Sequence, residues 1–331
     1  MKKFPIIDIS EQDVDDFEQM GTKSKFWYTD KKNKKEYLFK STHTEDKYGN
    51  SIIRHGENWS EKVACEVAKL LGIPHANYNL ARCNGQNGTI SENFTQLGDD
   101  LTFGNNLIEY VATKVYGERL ELGQRSQTIS RVFTILNSIV IEPPRIWNKT
   151  ENIKNAFDVF IGYVMLDALI SNQDRHNENW GMIVDAEGRK SLSPSFDHAA
   201  SLGRNESEEK MNNRLNTKDE GYSIKSYVKK CKSYFYFDKN QLTTVEAFFL
   251  FTSLSKNSGL EWIERLNNID RDIIGNILNS MPDNIMTQIQ KKFCIEIIME
   301  NKARLLECGS YIAHSNNFCW VTYKNKFRDK G

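Results

Sequence analysis

Hydrophobic and polar positions follow two rhythms along this chain. Near the amino end the period is two. Phe26-Trp27-Tyr28 and Glu36-Tyr37-Leu38-Phe39-Lys40 read as strands on either side of a charged turn at 30–35. Residues 78–82 and 88–94 read as a second pair around Asn84-Gly85-Gln86-Asn87-Gly88. Between the pairs the period lengthens. Val63, Ala64, Val67, Ala68 and Leu71 recur at helical spacing over 58–71, with Asn58 placed to cap the start and Gly72 and Pro74 to stop it. Residues 1–20 form an acidic lead-in, and 41–57 read as a long polar loop.

From Leu101 onward the rhythm is helical. Residues 106–115 and 130–140 are amphipathic, and Glu142-Pro143-Pro144 ends the second. Over 155–170, apolar residues from Phe157 to Leu169 occupy most of the circumference, the mark of a helix buried on nearly all sides. A polar run follows, Ser171-Asn172-Gln173-Asp174-Arg175-His176-Asn177-Glu178-Asn179-Trp180, then a strand–turn–strand unit that delivers Ser195-Phe196-Asp197-His198. Residues 204–220 carry dense charge and little to bury, and are expected to be a flexible loop. Residues 222–237 interleave Lys225, Lys229, Lys230 and Lys232 with Tyr227, Tyr234, Phe235 and Tyr236. A phosphate- or nucleic-acid-binding strip can look like this, but a solvated amphipathic element is the simpler reading. Further helices are expected at 242–254, 260–269, 273–281 and 285–306, and 309–331 are unassigned. The expected fold is α+β and two-lobed: a small antiparallel sheet with one helix (1–95), then a larger, mostly helical part (96–331).

Composition narrows the classes. Lys plus Arg and Asp plus Glu both number 44, so zero net charge gives no whole-chain argument for direct nucleic-acid or membrane-surface binding. No 18-residue apolar run offers a membrane span, and Lys2-Lys3 leads into acids rather than an apolar signal segment. The six cysteines (65, 83, 231, 294, 308, 319) show no CxxC spacing, and read as reduced thiols of a cytoplasmic protein.

The polar run after the buried helix carries the chemistry. Phosphoryl transfer needs a carboxylate facing the attacking hydroxyl, hard oxygen ligands for Mg2+, and cations over the phosphates of ATP. Asp174 can orient the hydroxyl and take its proton. Asn179, five residues on, and Asp197 offer metal ligands. Lys40 can sit over the phosphates if Glu61 pairs with it. Gly21-Thr22-Lys23-Ser24-Lys25 can cover them with backbone amides. Each has a plainer reading alone: Lys40 a solvated strand end, Glu61 a helix-dipole partner, Gly21 to Lys25 a hairpin loop. Two other joint readings stand beside phosphoryl transfer. Transition-metal hydrolysis would use His176, His198, Asp174 and Asp197, but leaves Lys40 and Glu61 unexplained. The other is a buried polar knot of purely structural purpose.

Asn172-x-Asp174-x-His176-x-x-Asn179, followed by Ser195-Phe196-Asp197, resembles the signature of HipA-like serine/threonine kinases, toxins of bacterial toxin–antitoxin systems. The resemblance covers roughly residues 20–307. It implies that Asp174 is the catalytic base and that Asn179 and Asp197 hold magnesium. Lys40 would contact the α- and β-phosphates of ATP while paired with Glu61, and His176 would brace the loop. Ser91-Glu92-Asn93-Phe94 would be the interlobe hinge, the backbone of Glu92 and Phe94 holding adenine. Gly21, Thr22, Lys23 and Ser24 would form the phosphate loop of a compact member without an additional amino-terminal subdomain. Ser24, or second Thr22, would be its autophosphorylation site. A protein substrate such as a translation factor or aminoacyl-tRNA synthetase, and an antitoxin partner, would follow from the same resemblance. Asp174-Arg175-His176-x-x-Asn179 also fits phosphoinositide-type lipid kinases. A nucleotide-binding module without catalysis is the non-enzymatic alternative.

Overall fold

The structure, a computed structural model, describes residues 2–17, 25–45, 48–117 and 124–314 of the 331-residue chain. Its amino-terminal part contains β1 (Ile6–Asp8), β2 (Asp16–Phe17), β3 (Lys25–Thr29), β4 (Glu36–Ser41), β5 (His43–Glu45), β6 (Ser51–Ile53), α1 (Glu57–Leu71), β7 (Tyr78–Cys83) and β8 (Gln86–Glu92). Six of the strands form one sheet in the order β1-β7-β8-β4-β3-β2, antiparallel throughout except for the parallel β1–β7 pair. The β7–β8 hairpin turns on Asn84 and Gly85, with φ of 48° and 80°. Positive φ at both central residues gives the tight turn that matches strand twist, and an Asn-Gly pair adopts it readily. The acidic lead-in is thus partly strand, and β5–β6 form a hairpin inside the expected loop. Helix α1 begins one residue earlier than its predicted cap. Gly56, at φ 82°, occupies that place because a Cβ there would lie 2.9 Å from both Trp59 and Arg204.

The helical part begins with β9 (Asp100–Phe103), α2 (Gly104–Lys114), α3 (Ile129–Ser138) and α4 (Ala156–Leu169). All 14 residues of α4 are buried, and an Asn155–Asp158 capping box closes its start. β10 (Gly181–Val184) and β11 (Lys190–Leu192) then form a small sheet with β9. The expected flexible loop at 204–220 contains α5 (Glu208–Asn216). Ser207 caps it, Met211 anchors it in the core, and Arg214 pairs with Glu206. One apolar anchor, one cap and one ion pair escaped a reading based on average polarity. The lysine–tyrosine stretch divides into α6 (Ile224–Lys230) and β12 (Lys232–Phe237), the latter paired with β13 (Asn240–Thr243). Helices α7 (Thr244–Leu254), α8 (Lys256–Asn267), α9 (Arg271–Ser280) and α10 (Gln288–His314) complete the described chain. A core running from Trp59 of α1 through α4 and α7 to α10 joins the two parts.

Residues 3–8 form a strap across both parts. Phe4 donates its N–H to the Ser280 carbonyl at 2.7 Å, and Lys3 reaches the Asn279 and Met281 carbonyls and Asp283. Two residues after Phe4, β1 enters the sheet beside β7, with Ile6 opposite Leu80.

Candidate active site

A cleft of about 520 Å³ opens between the sheet and the helical part. Lys40, Tyr78 and the 91–94 crossing line it from one side. Asp174, His176, Asn179, Phe196, Asp197 and Arg204 line it from the other. That volume lies within the range of small-ligand pockets.

Lys40 reaches the cleft because β4 pairs with β8, which places Lys40 opposite Thr89. Its buried Nζ lies 3.4 Å from Asp197 Oδ2 and 5.7 Å from the centre of the Tyr78 ring. Burial alone would push the ammonium pKa down. The charges of Asp197 and Glu61 outweigh it and hold the pKa above its ordinary value. The direct ion pair is therefore Lys40–Asp197, not the expected Lys40–Glu61. Glu61 acts on Lys40 through its field, because its carboxylate is engaged elsewhere. Oε1 accepts the His198 N–H at 2.7 Å and lies 3.4 Å from His198 Nδ1. Glu61 thus fixes the backbone immediately after Asp197. Asp197 itself has φ 56°, and its N–H donates to the Tyr78 hydroxyl. A non-glycine residue in this left-handed region is uncommon, and such strain collects at functional sites.

The loop 172–179 hangs from one buried ion pair. Asp167, near the end of α4, takes the Nε and Nη2 of Arg175 at 2.8 Å each. Arg175 also donates to the Asn179 carbonyl (2.8 Å), the Phe196 carbonyl (3.2 Å) and Ser195 Oγ (3.0 Å). All five guanidinium N–H donors are satisfied. One side chain thereby joins the buried helix, the loop and the segment bearing Asp197. Asn172 adds a second tie, donating to Asp167 and accepting the Asp174 N–H. Asn179 donates its amide nitrogen to the Asp174 carbonyl at 2.6 Å, which leaves its oxygen available to a cation.

Both histidines of the metal-hydrolysis reading are engaged. His198 is fully buried between Glu61 and Ser195 Oγ, 2.7 Å from its Nε2. His176 accepts the Glu178 N–H on Nδ1, packs edge-on against Tyr234, and has Nε2 4.0 Å from Asp174. Among the described residues, no three His, Cys, Asp or Glu side chains converge as a metal cluster.

At the crossing, Glu92 pairs with Lys35, and Phe94 stacks on Phe196 at 5.7 Å. Gly21, Thr22, Lys23 and Ser24 lie outside the described residues. Sequence reading missed Arg175, Asp167, Ser195 and Tyr78 as site-building residues. Asp167 did carry a signal: an acid on a helix buried all round requires a buried partner.

A model of the HipA-like C-terminal domain family matches residues 17–247. The serine/threonine-protein kinase CtkA of Helicobacter pylori is 24% identical over 283 residues, covering 83% of this chain and 76% of its own. The crystal structure of the H. pylori proinflammatory kinase CtkA matches with a TM-score of 0.73 at 20% identity, over 95% of this chain and 100% of that one. A chain from the Shewanella oneidensis HipA–HipB toxin–antitoxin complex with operator DNA matches at TM-score 0.54 and 13% identity, over 92% and 68%. These likenesses give the architecture as kinase-like. The family match spans well over half of the sequence, including Lys40, Asp174, Asn179 and Asp197, and the chain belongs to the HipA-like C-terminal domain family.

Proposed function

We propose that this protein is an ATP- and magnesium-dependent serine/threonine protein kinase. The observation that carries the reading is the convergence on one cleft of Lys40, Asp174, Asn179 and Asp197, delivered by separate elements. The serine/threonine kinase CtkA is a relative over most of the chain. The residues fit nucleotide and metal. Asn179 turns its oxygen away from a satisfied amide, Asp197 offers a carboxylate, and both are hard ligands suited to magnesium. Bound Mg-ATP supplies the transferable phosphoryl group and the cation that neutralises it. Lys40, raised in pKa and charged, holds phosphate oxygens. Asp174 orients the acceptor hydroxyl and takes its proton, and His176 braces the loop. The 91–94 crossing is the hinge, with the Glu92 and Phe94 backbone on adenine, and it separates lobes 1–95 and 96–331.

The same reading extends to regulation and partners. Gly21 to Ser24 form the phosphate loop, and autophosphorylation at Ser24, or second Thr22, ejects that loop and shuts the enzyme down. Phosphopeptide mass spectrometry after incubation with Mg-ATP tests this, and phosphate found only elsewhere refutes it. A cytoplasmic translation protein is the proposed substrate and an antitoxin the proposed partner, by analogy with the family.

The deciding experiment offers labelled ATP and magnesium to protein extract and to phosphoinositide vesicles in parallel. Transfer to protein that vanishes in Asp174→Ala is the expected result. Transfer only to lipid makes the chain a lipid kinase, and binding without transfer makes it an inactive module.

A further inference from the structure

Arg204, which takes none of the roles proposed for the cleft, is built into its wall. Just before Arg204, which lies seven residues after Asp197, the chain reverses through Leu202 and Gly203, both left-handed at φ 57° and 64°. The Leu202 N–H is fixed to the Ile170 carbonyl at the end of α4. This turn aims Arg204 back into the cleft that holds Lys40, Asp174 and Asp197. Its side chain is only 11% exposed. Nη2 lies 2.9 Å from Glu57 Oε1, and Nη1 donates to Asn205 Oδ1 at 2.9 Å and to the His55 carbonyl at 3.4 Å. Its enclosed Nε has no hydrogen-bond partner among the described residues.

A second guanidinium approaches the same carboxylate. Arg54 Nη1 lies 3.8 Å from the same Glu57 oxygen, so two guanidiniums share one buried carboxylate. Burial pulls the Arg204 pKa down, Glu57 supports it, and Arg54 opposes it. The charges of Asp174 and Asp197 also act on it, which puts it within electrostatic range of the reacting groups. A purely structural arginine at the start of α1 would need neither a second arginine nor an unmet donor. A buried N–H on a cation is costly until an acceptor completes it, and an anion is the strongest such acceptor.

We infer that Arg204 is a catalytic residue that grips the oxygens of the terminal phosphoryl group of a nucleoside triphosphate, with Glu57 holding it in place between turnovers. This rests on the kinase reading and deepens it. Donors fixed on a transferring phosphoryl group act where charge develops, and removing one such donor typically costs about 10²–10³-fold in rate.

The test compares full-length wild type with Arg204→Met and Arg204→Lys, measuring transfer rate and the calorimetric affinities for Mg-ATP and Mg-ADP. Arg204→Met should lose about 10²–10³-fold in transfer. Its ATP affinity should fall about tenfold while its ADP affinity stays within about twofold, because ADP lacks the contacted group. Arg204→Lys should recover part of the ATP affinity but little of the rate, lacking the planar fork. Equal weakening of ATP and ADP, or transfer within about twofold of wild type, overturns the inference while leaving the kinase reading intact. A wild type that transfers nothing but prefers ATP through Arg204 overturns the kinase reading and keeps the terminal-phosphate site. Should Arg204→Met fail to fold because Glu57 loses its 2.9 Å guanidinium partner, Glu57→Gln/Arg204→Met carries the same measurements.

Discussion

Arg175→Met removes the side chain from which the 172–179 loop hangs while keeping much of its volume. The perturbation strands a buried carboxylate, Asp167, and withdraws donors from Asn179, Phe196 and Ser195. Breaking a buried ion pair from one side typically costs about 3–5 kcal/mol, because the remaining charge is uncompensated. With an unfolding entropy near 0.7 kcal/mol/K for 331 residues, that cost lowers the melting temperature by about 4–7 °C. Phosphoryl transfer should fall further than the stability loss explains, since the loop and the Asp197 segment lose their common anchor. Asp167→Asn and the double variant complete a thermodynamic cycle, with an expected coupling of about 1–3 kcal/mol. Calorimetric melts and transfer assays on folded protein at 20 °C below each variant's own midpoint separate the two effects. An Arg175→Met protein that melts within about 1 °C of wild type and transfers normally would refute the anchoring argument.

Other substitutions probe the cleft from different sides. In Gly88→Ala the new Cβ would lie 2.3 Å from the Lys40 carbonyl and 2.7 Å from the Phe39 ring. It should cost about 1–3 kcal/mol in urea unfolding and weaken ATP binding by shifting Lys40; unchanged ATP affinity would count against that coupling. Asp197→Ala removes the Lys40 partner and a proposed metal ligand, so magnesium should no longer strengthen ATP binding in calorimetry. A retained magnesium effect would move the metal site elsewhere. His75 is held below its ordinary pKa of 6.5, chiefly by burial. The unfolded chain therefore takes up its proton first, and stability present above pH 6.5 is lost as pH falls below it. The drop in melting temperature from pH 7.5 to 5.5 should be smaller in His75→Gln than in wild type, and an equal drop would exclude His75 as a source.

Much of this was legible in the chain because local spacing controls it. Period-two runs gave β3, β4, β7 and β8, and a helix apolar on all sides gave α4. The HipA-like resemblance was visible largely in eight residues, Asn172 to Asn179, since a polar loop following one buried helix is local. Pairings between distant segments were not visible. Glu61 could be assigned to Lys40 from sequence, but a two-residue reading has no way to see that the His198 N–H reaches the carboxylate first. The β1 strand was hidden because three residues carry no period, and its partner lies more than 70 positions away. Helix α5 was hidden because a single buried Met211 anchors it in a polar context.

The strap of residues 3–8 sets a length limit. Phe4 is bonded to Ser280 in the helical part and Ile6 to the edge of the sheet, with only Pro5 between them. Two residue steps of extended chain reach about 7 Å. Beyond that separation one anchor must let go, so wide opening of the cleft is a peeling event rather than a free swing. A partner that captured Lys3 or Phe4 would lengthen the leash without touching the cleft residues, and would let the two parts separate further.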